Sequence, residues 1–397
     1  MNWNFTRTQS FLILVLFATC LGIGIQYNVD LIVLYDTVRL VVQGQWEKIY
    51  SGPGENGSIG RYFYGPFSLL LFSPLGWLSY YGAKAVWLLF QSISYFLFWW
   101  LLGEFFPLRA RKAFLLWLLV FIFAINPLHN NFQSNNIQLF LAVMLLGAEW
   151  LSRREGKWDG LAAGLLISVA AAVKIFPFFI FAFYWLWRPK LRKGLATGLV
   201  VTLVSPYVAF GPTKATLLYQ TFLKNLTSYG QDNSFITVDD ICCLPSLIAR
   251  AFHYFGGTET EADPFIKLAI LGISGAFLGF VWLGKKQSKG KEQNDILWTL
   301  AFALMAFLNP STRPHYYIFY VPALAWLAKR WSDDKAGSWE KFSVLASVGL
   351  IALTQEGVTG KGINNLLEAW SIPTYGMLIL CLIMTRQLVY LNRTARA

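Results

Sequence analysis

Apolar residues gather into runs at about 9–28, 67–81, 83–106, 113–126, 137–152, 159–174, 175–187, 194–210, 265–284, 295–309, 316–330, 341–354 and 374–391. The runs are continuous rather than alternating with period two, and short polar stretches separate them. In hydrocarbon every backbone N–H and C=O must be satisfied within the protein, and a helix is the open-chain element that does so within its own segment. The pattern therefore predicts an all-α polytopic membrane protein. A straight crossing takes about 20 residues, so the shorter runs predict half-helices or re-entrant segments. The run 67–81, interrupted by Pro74, is expected to lie at the interface or re-enter. The remaining runs predict about twelve crossings, several of them shorter than a straight span, forming one transmembrane domain over 1–397 with both ends on the same side.

Lys and Arg orient the chain. Arg7, the cluster Arg109, Arg111 and Lys112, the cluster Arg153, Arg154 and Lys157, and the cluster Arg188, Lys190, Arg192 and Lys193 fall in alternate connections. So do Lys285, Lys286, Lys289 and Lys291, then Lys329, Arg330, Lys335 and Lys341, and finally Arg386, Arg393 and Arg396. Basic residues concentrate on the cytoplasmic side of membrane proteins, which puts the opposite connections, 29–66, 127–136, 211–263, 310–315 and 355–373, outside. The longest of these, 29–66 and 211–263, are expected to carry the function, because long ordered connections on a rigid scaffold usually do. The fit is to a bacterial inner (plasma) membrane, with the site facing the periplasm or the exterior.

Composition narrows the class. Of 397 residues, 56% are hydrophobic and 14% charged, against about a quarter charged in soluble domains, so lipid must solvate much of the surface. The net charge of +12 is held in loop clusters, without the basic element interleaved with aromatics that marks a nucleic-acid surface. No phosphate-binding glycine loop or dinucleotide fingerprint is present. The cytoplasmic loops are too short to build a nucleotide-sugar domain, so any sugar donor has to arrive in the membrane. Cys20 and Cys381 sit in apolar runs as small hydrophobes. Cys242 and Cys243 are adjacent in a polar stretch and are read as two thiols in preference to a vicinal bond; no cysteine spacing suggests zinc or iron–sulfur. Phe17-Ala18-Thr19-Cys20 is similar to a lipoprotein cleavage box, but the many following runs favour an uncleaved first helix.

Candidate chemistry begins at Asp30. A carboxylate at a membrane boundary among apolar neighbours is costly; interfacial solvation is one reason for it, and general-base catalysis in a partly desolvated setting is the other. Asp36 has Arg39 three residues on, a helical pairing distance, and 31–43 reads as an amphipathic helix on the membrane surface. Glu149, four residues before Arg153, and Glu104, near the Arg109 cluster, read as structural. Asp239 and Asp240 remain potential substrate contacts. Lys174 interrupts an apolar stretch, either snorkelling to the interface or binding phosphate. Arg313 and His315 share a short external turn and make an anion site plausible. Gln133 and Asn136 either cap the helix that follows or bind sugar hydroxyls. Gly160 and Gly164 form a small-xxx-small pair suited to helix packing.

Asp30 to Asp36, Gly44 and Tyr50, then Tyr64-Gly65-Pro66 with Ser73-Pro74-Leu75, then Gln133 and Asn136, Lys174-Ile175-Phe176-Pro177, Asn233-Ser234 and Pro310 to His315 together resemble glycosyltransferase family 87. Gly65 stands where the family has a proline, and Arg313 where it has Trp. The resemblance spans roughly 25–320. It implies the GT-C membrane fold and a mannosyltransferase or relative that takes its sugar from a polyprenyl-phosphate donor. It also implies a base on the first external connection, carried onto Asp30. Tyr35, Asp36, Tyr64, Gln133, Asn136, Lys174, Asn233, Arg313 and His315 are the substrate contacts carried over with it. The expected partners are the lipid-linked donor, a lipid or glycan acceptor and membrane lipids. No cofactor is assigned and no metal-ligand cluster is evident. The alternative reading is a transporter or flippase of lipid or glycan in the cell envelope.

Overall fold

A computed structural model describes residues 5–27, 29–50, 64–107, 113–229, 241–284, 290–352, 354 and 359–394. Asn233, Asp239, Asp240, and the basic residues Arg109, Arg111, Lys112, Lys285, Lys286 and Lys289 lie outside the described residues.

The protein is an all-α polytopic membrane protein, with no strand among the described residues. Among the described residues six helices are long and apolar enough to cross a membrane, with spans at Arg7–Gln26, Tyr80–Phe105, Phe114–Ser134, Pro189–Phe210, Thr260–Leu283 and Ile372–Asn392. Pro66–Trp77, Gln138–Ser152, Asp159–Val173 and Phe178–Trp187 are apolar but shorter. In chain order the helices are α1 (Arg7–Gln26), α2 (Val29–Val42), α3 (Pro66–Phe72), α4 (Tyr80–Phe105), α5 (Ala113–Ser134), α6 (Gln138–Ser152), α7 (Asp159–Val173), α8 (Phe178–Trp187) and α9 (Arg192–Phe210). There follow α10 (Pro212–Tyr229), α11 (Leu244–Tyr254), α12 (Glu259–Gly284), α13 (Lys291–Leu308), α14 (Val321–Ser332), α15 (Ser338–Ala352), α16 (Lys361–Ala369) and α17 (Ile372–Thr394).

Two local expectations change. The stretch 127–136, read as an external loop, is mostly helix: α5 runs through Pro127 to Ser134. Segment 31–43 is helical, but it is largely enclosed by protein, with a buried carboxylate at Asp36. Its helix, α2, buries Leu31, Leu34, Tyr35, Asp36, Thr37, Val38, Leu40 and Val41, because the apolar positions cover most of its circumference rather than one stripe. The run 67–81 becomes α3 followed by a 3₁₀ stretch, Ser73–Trp77. At about 1.5 Å per α-helical residue and about 2.0 Å per 3₁₀ residue, Pro66–Trp77 spans about 20 Å, short of the ~30 Å hydrocarbon core.

The chain forms two compact units. The first comprises 1–13, 102–128 and 233–397. Its centre is α13, buried from Ile296 to Leu308. At one end Arg330, 7% exposed, binds Glu292, places Nε 3.3 Å from Glu340 and donates Nη2 to Gln387 Oε1 at 3.1 Å. Gln387 in turn donates to Glu340 Oε2 at 2.8 Å, so α13, α14, α15 and α17 meet on one satisfied cation.

The second unit comprises 14–101 and 129–232. Its tightest pairing is α7 against α9, and glycine makes it so. A Cβ on Gly164 would stand 2.4 Å from Leu195 N and 2.7 Å from Gly194 Cα, and one on Gly194 would stand 2.4 Å from Leu161 O. Ser168 Oγ donates to Leu195 O at 2.9 Å across the contact. Gly164→Ala is therefore expected to force the helices apart and destabilise the fold by about 1–3 kcal/mol, the usual cost of overpacking. Gly22→Ala, whose Cβ meets nothing within 4 Å on α1, should be neutral or stabilising by a few tenths to about 1 kcal/mol. Thermal unfolding of the two variants in detergent separates these opposite signs.

Candidate functional site

Asp30 occupies the first turn of α2 and is half-buried, where the helix dipole favours a carboxylate. Oδ2 of Asp30 accepts a hydrogen bond from Asn136 Nδ2. The orientation of that amide is fixed from its other side: Asn136 Oδ1 accepts from Gln138 N at 3.2 Å, and an oxygen that caps a helix leaves the NH2 to donate. Asn136 thus takes up the first N–H of α6, the capping role the sequence allowed, and at the same time holds Asp30.

Behind this pair stands a network of amides. Asn135, between α5 and α6, has φ 51°, a left-handed conformation that Asn tolerates better than most residues. Its Nδ2 donates to Gly24 O at 3.1 Å and Tyr27 O at 2.7 Å, taking up carbonyls that the end of α1 leaves without helical partners. Its own carbonyl accepts from Trp87 Nε1 at 2.9 Å. Asn131 Nδ2 donates to Gln91 Oε1 at 3.1 Å, while Asn131 Oδ1 accepts from Leu139 N at 3.1 Å. The segment that presents Asp30 is thereby tied to α4, α5 and α6. Asn131, Asn135, Gln91 and Trp87 were missed in the sequence; the density of amides in 130–136 was the available signal. Gln133, on the last turn of α5, is half-buried.

Tyr35 is buried, with its hydroxyl donating to Leu78 O at 2.9 Å and its ring edge-on to Tyr80 at 5.3 Å. Arg39 is exposed and stands 5.9 Å from the Tyr35 ring centroid. Together with Ile32, Trp77 and Tyr80 these residues line an open groove of about 580 Å³. Asp36 is 5% exposed, inside the unit rather than on a polar helix face.

Lys174 ends α7 in extended backbone, φ −138° and ψ 135°, and places Nζ 5.1 Å from the Tyr64 ring centroid. Three contacts hold Tyr64 there. Its carbonyl accepts from Tyr50 Oη at 3.0 Å, Asn225 Nδ2 donates to Tyr50 O at 2.9 Å, and Gly65 N donates to Val173 O at 3.2 Å.

Arg313 and His315 belong to the other unit. Arg313 is exposed, and His315 is buried with its ring 4.9 Å from Tyr316. Their turn is stitched by Thr312, whose hydroxyl donates to Ala306 O at 2.6 Å and whose carbonyl accepts from Cys242 N at 3.0 Å. Cys242 and Cys243 are both buried and are thiols, not a disulfide. Burial pushes their thiols up, to about 12 and about 11. The nucleophile is the thiolate, so maleimide at pH 8 is expected to leave both unlabelled in the folded protein and to label both after denaturation; labelling of either in the fold would show the segment open. Among the described residues no group of three or more His, Cys, Asp or Glu side chains is placed to hold a metal ion.

The glycosyltransferase family 87 model matches residues 62–311, well over half of the chain. The chain belongs to glycosyltransferase family 87. No curated protein and no solved structure matches it. As a family 87 member it is a multi-pass membrane glycosyltransferase, acting on a sugar donor and an acceptor. The matched segment contains Tyr64, Gln133, Asn136, Lys174 and Asn233. Arg313 and His315 follow it, and Asp30, Tyr35 and Asp36 precede it.

Proposed function

We propose that this family 87 enzyme moves a sugar, most simply mannose, from a polyprenyl-phosphate donor to a lipid or glycan acceptor on the non-cytoplasmic face, with inversion at the anomeric carbon and Asp30 as general base. The observation that carries this reading is the Asn136–Asp30 contact, which joins a half-buried carboxylate to an amide inside the family-matched segment. A sugar on lipid phosphate already has a good leaving group. One carboxylate therefore suffices to deprotonate the acceptor hydroxyl, in contrast to the paired carboxylates of glycoside hydrolysis. An ionised carboxylate accepts at about four lone-pair sites, so the amide orients Asp30 without exhausting it. Attack from the face opposite the departing phosphate inverts the centre.

Lys174 beside Tyr64 is the proposed cation for the departing phosphate, where charge develops in the transition state. Arg313, His315 and Asn233 are proposed as further donor contacts, and Tyr35, Asp36, Tyr64 and Gln133 as contacts to sugar or acceptor. The setting is a bacterial inner membrane, with the site on the periplasmic or extracellular side. Right-side-out and inverted sealed vesicles, each given a panel of polyprenyl-phosphate sugars at the exposed leaflet, test this. A glycosylated product by mass spectrometry is expected from the right-side-out preparation. Flux of labelled donor across the bilayer with no transferred sugar would instead support a transporter.

A further inference from the structure

Away from the sugar site, the turn joining α6 to α7 and the turn joining α8 to α9 are drawn together by the glycine-packed α7–α9 contact: a Cβ on Gly160 would stand 3.0 Å from Lys190 O. Lys190 Nζ donates to Arg154 O at 3.3 Å across the junction. The result is a groove of about 500 Å³ lined by Arg154, Glu155, Lys157, Trp158, Lys190 and Lys193 among others. All four cations are exposed. Arg154 stands 3.8 Å from Asp159 and lies over Trp150 at 4.5 Å, and Glu155 adds one carboxylate, so the groove keeps a net positive charge. The neighbouring Arg153 and Arg188 are committed below it to Glu149 and do not supply that charge.

Two features connect the groove to lipid. Pro189–Phe210 is long and apolar enough to span a membrane and starts at the groove; past Lys193 it exposes Val200, Val201, Leu203, Val204 and Val208. Trp158 is 64% exposed at the rim, the residue type that settles at headgroup depth. We propose that this groove binds the phosphodiester headgroup of an anionic membrane phospholipid, whose acyl chains lie along the exposed face of α9. Clustered Lys and Arg at the membrane end of a helix attract such headgroups. A free inorganic anion would satisfy the lysines but make no use of the apolar strip.

The test reconstitutes the full chain in phosphatidylcholine vesicles containing a minority of phosphatidylglycerol, extracts it in mild detergent and counts retained lipid by native mass spectrometry. Wild type is expected to retain phosphatidylglycerol over phosphatidylcholine. The triple variant Lys157→Gln, Lys190→Gln, Lys193→Gln should lose at least about tenfold of that retention, since each basic residue near an anionic headgroup contributes separately. The triple Lys→Arg variant at the same positions should keep it, and its retention also reports an intact fold. Lys329→Gln, Lys335→Gln, Lys341→Gln removes equal charge elsewhere and should match wild type. The proposal is overturned if the Gln triple at the groove retains lipid like wild type, if the distant triple loses as much, or if excess inorganic phosphate displaces the lipid and binds as tightly by itself.

Discussion

Glu149→Ala is expected to cost about 3–5 kcal/mol of folding stability, the range for removing one partner of a buried ion pair. Glu149 is fully buried on α6. Its Oε1 accepts from Arg153 Nε at 2.8 Å and Arg188 Nη2 at 2.9 Å, and its Oε2 from Tyr184 Oη at 2.7 Å and Ser152 Oγ at 3.1 Å. Both arginines keep some solvent contact, with side chains 25% and 17% exposed, but removal of the carboxylate leaves two guanidinium groups facing an emptied site. Arg153→Ala should cost far less, because Arg188, Tyr184 and Ser152 still satisfy Glu149. Chemical unfolding in detergent reads both variants; a loss under about 1 kcal/mol for Glu149→Ala, as for an exposed pair, would mean that the network is solvated.

Asp30→Asn is expected to lower transfer by a factor of 10²–10⁴, roughly the contribution of a positioned general base, without a comparable change in stability. The substitution keeps the size of the side chain and an oxygen to accept from Asn136, and removes the basicity. Asn136→Ala should cost less, about tenfold through misplacement of the base, and the loss should fall on kcat rather than on KM. Initial rates with a lipid-linked donor, alongside melting curves, check both. Transfer by Asp30→Asn at the wild-type rate would remove Asp30 from the mechanism.

The helical membrane class was legible because hydrocarbon admits few backbone solutions, and Glu149–Arg153 was legible because i, i+4 spacing is local. The α7–α9 contact was half legible. Gly160 and Gly164 announced a packed face, but nothing local named Gly194 and Leu195 as its partners. The burial of α2 was misread because alternation of polar and apolar residues in 31–43 suggested a surface helix, while Asp36 and Thr37 are in fact enclosed. The assembly of one unit from 1–13, 102–128 and 233–397 depends on long-range contacts that periodicity does not encode.

At the site, Asp30, Asn136, Tyr64 and Lys174 stood out individually, but their pairings did not. Asn136 meets Asp30 from 106 positions away, and Asn135 was invisible because its role rests on a left-handed backbone and two carbonyls of α1. Gly65 was noted only as a departure from proline. The fold supplies the reason: its N–H bonds Val173 O, and a Cβ there would stand 2.4 Å from Ala172 O. A proline, with no N–H and a ring, could not bring Tyr64 against Lys174 in this way.

The central claim is that the donor sugar arrives on a lipid phosphate. Purified protein should be given a ¹³C-labelled hexose either on polyprenyl phosphate or on a nucleoside diphosphate, with the same membrane extract as acceptor source, and the products analysed by mass spectrometry. Labelled product from the lipid-linked donor alone is the predicted result. Product from the nucleotide sugar alone, in extract depleted of polyprenyl phosphate, would contradict it.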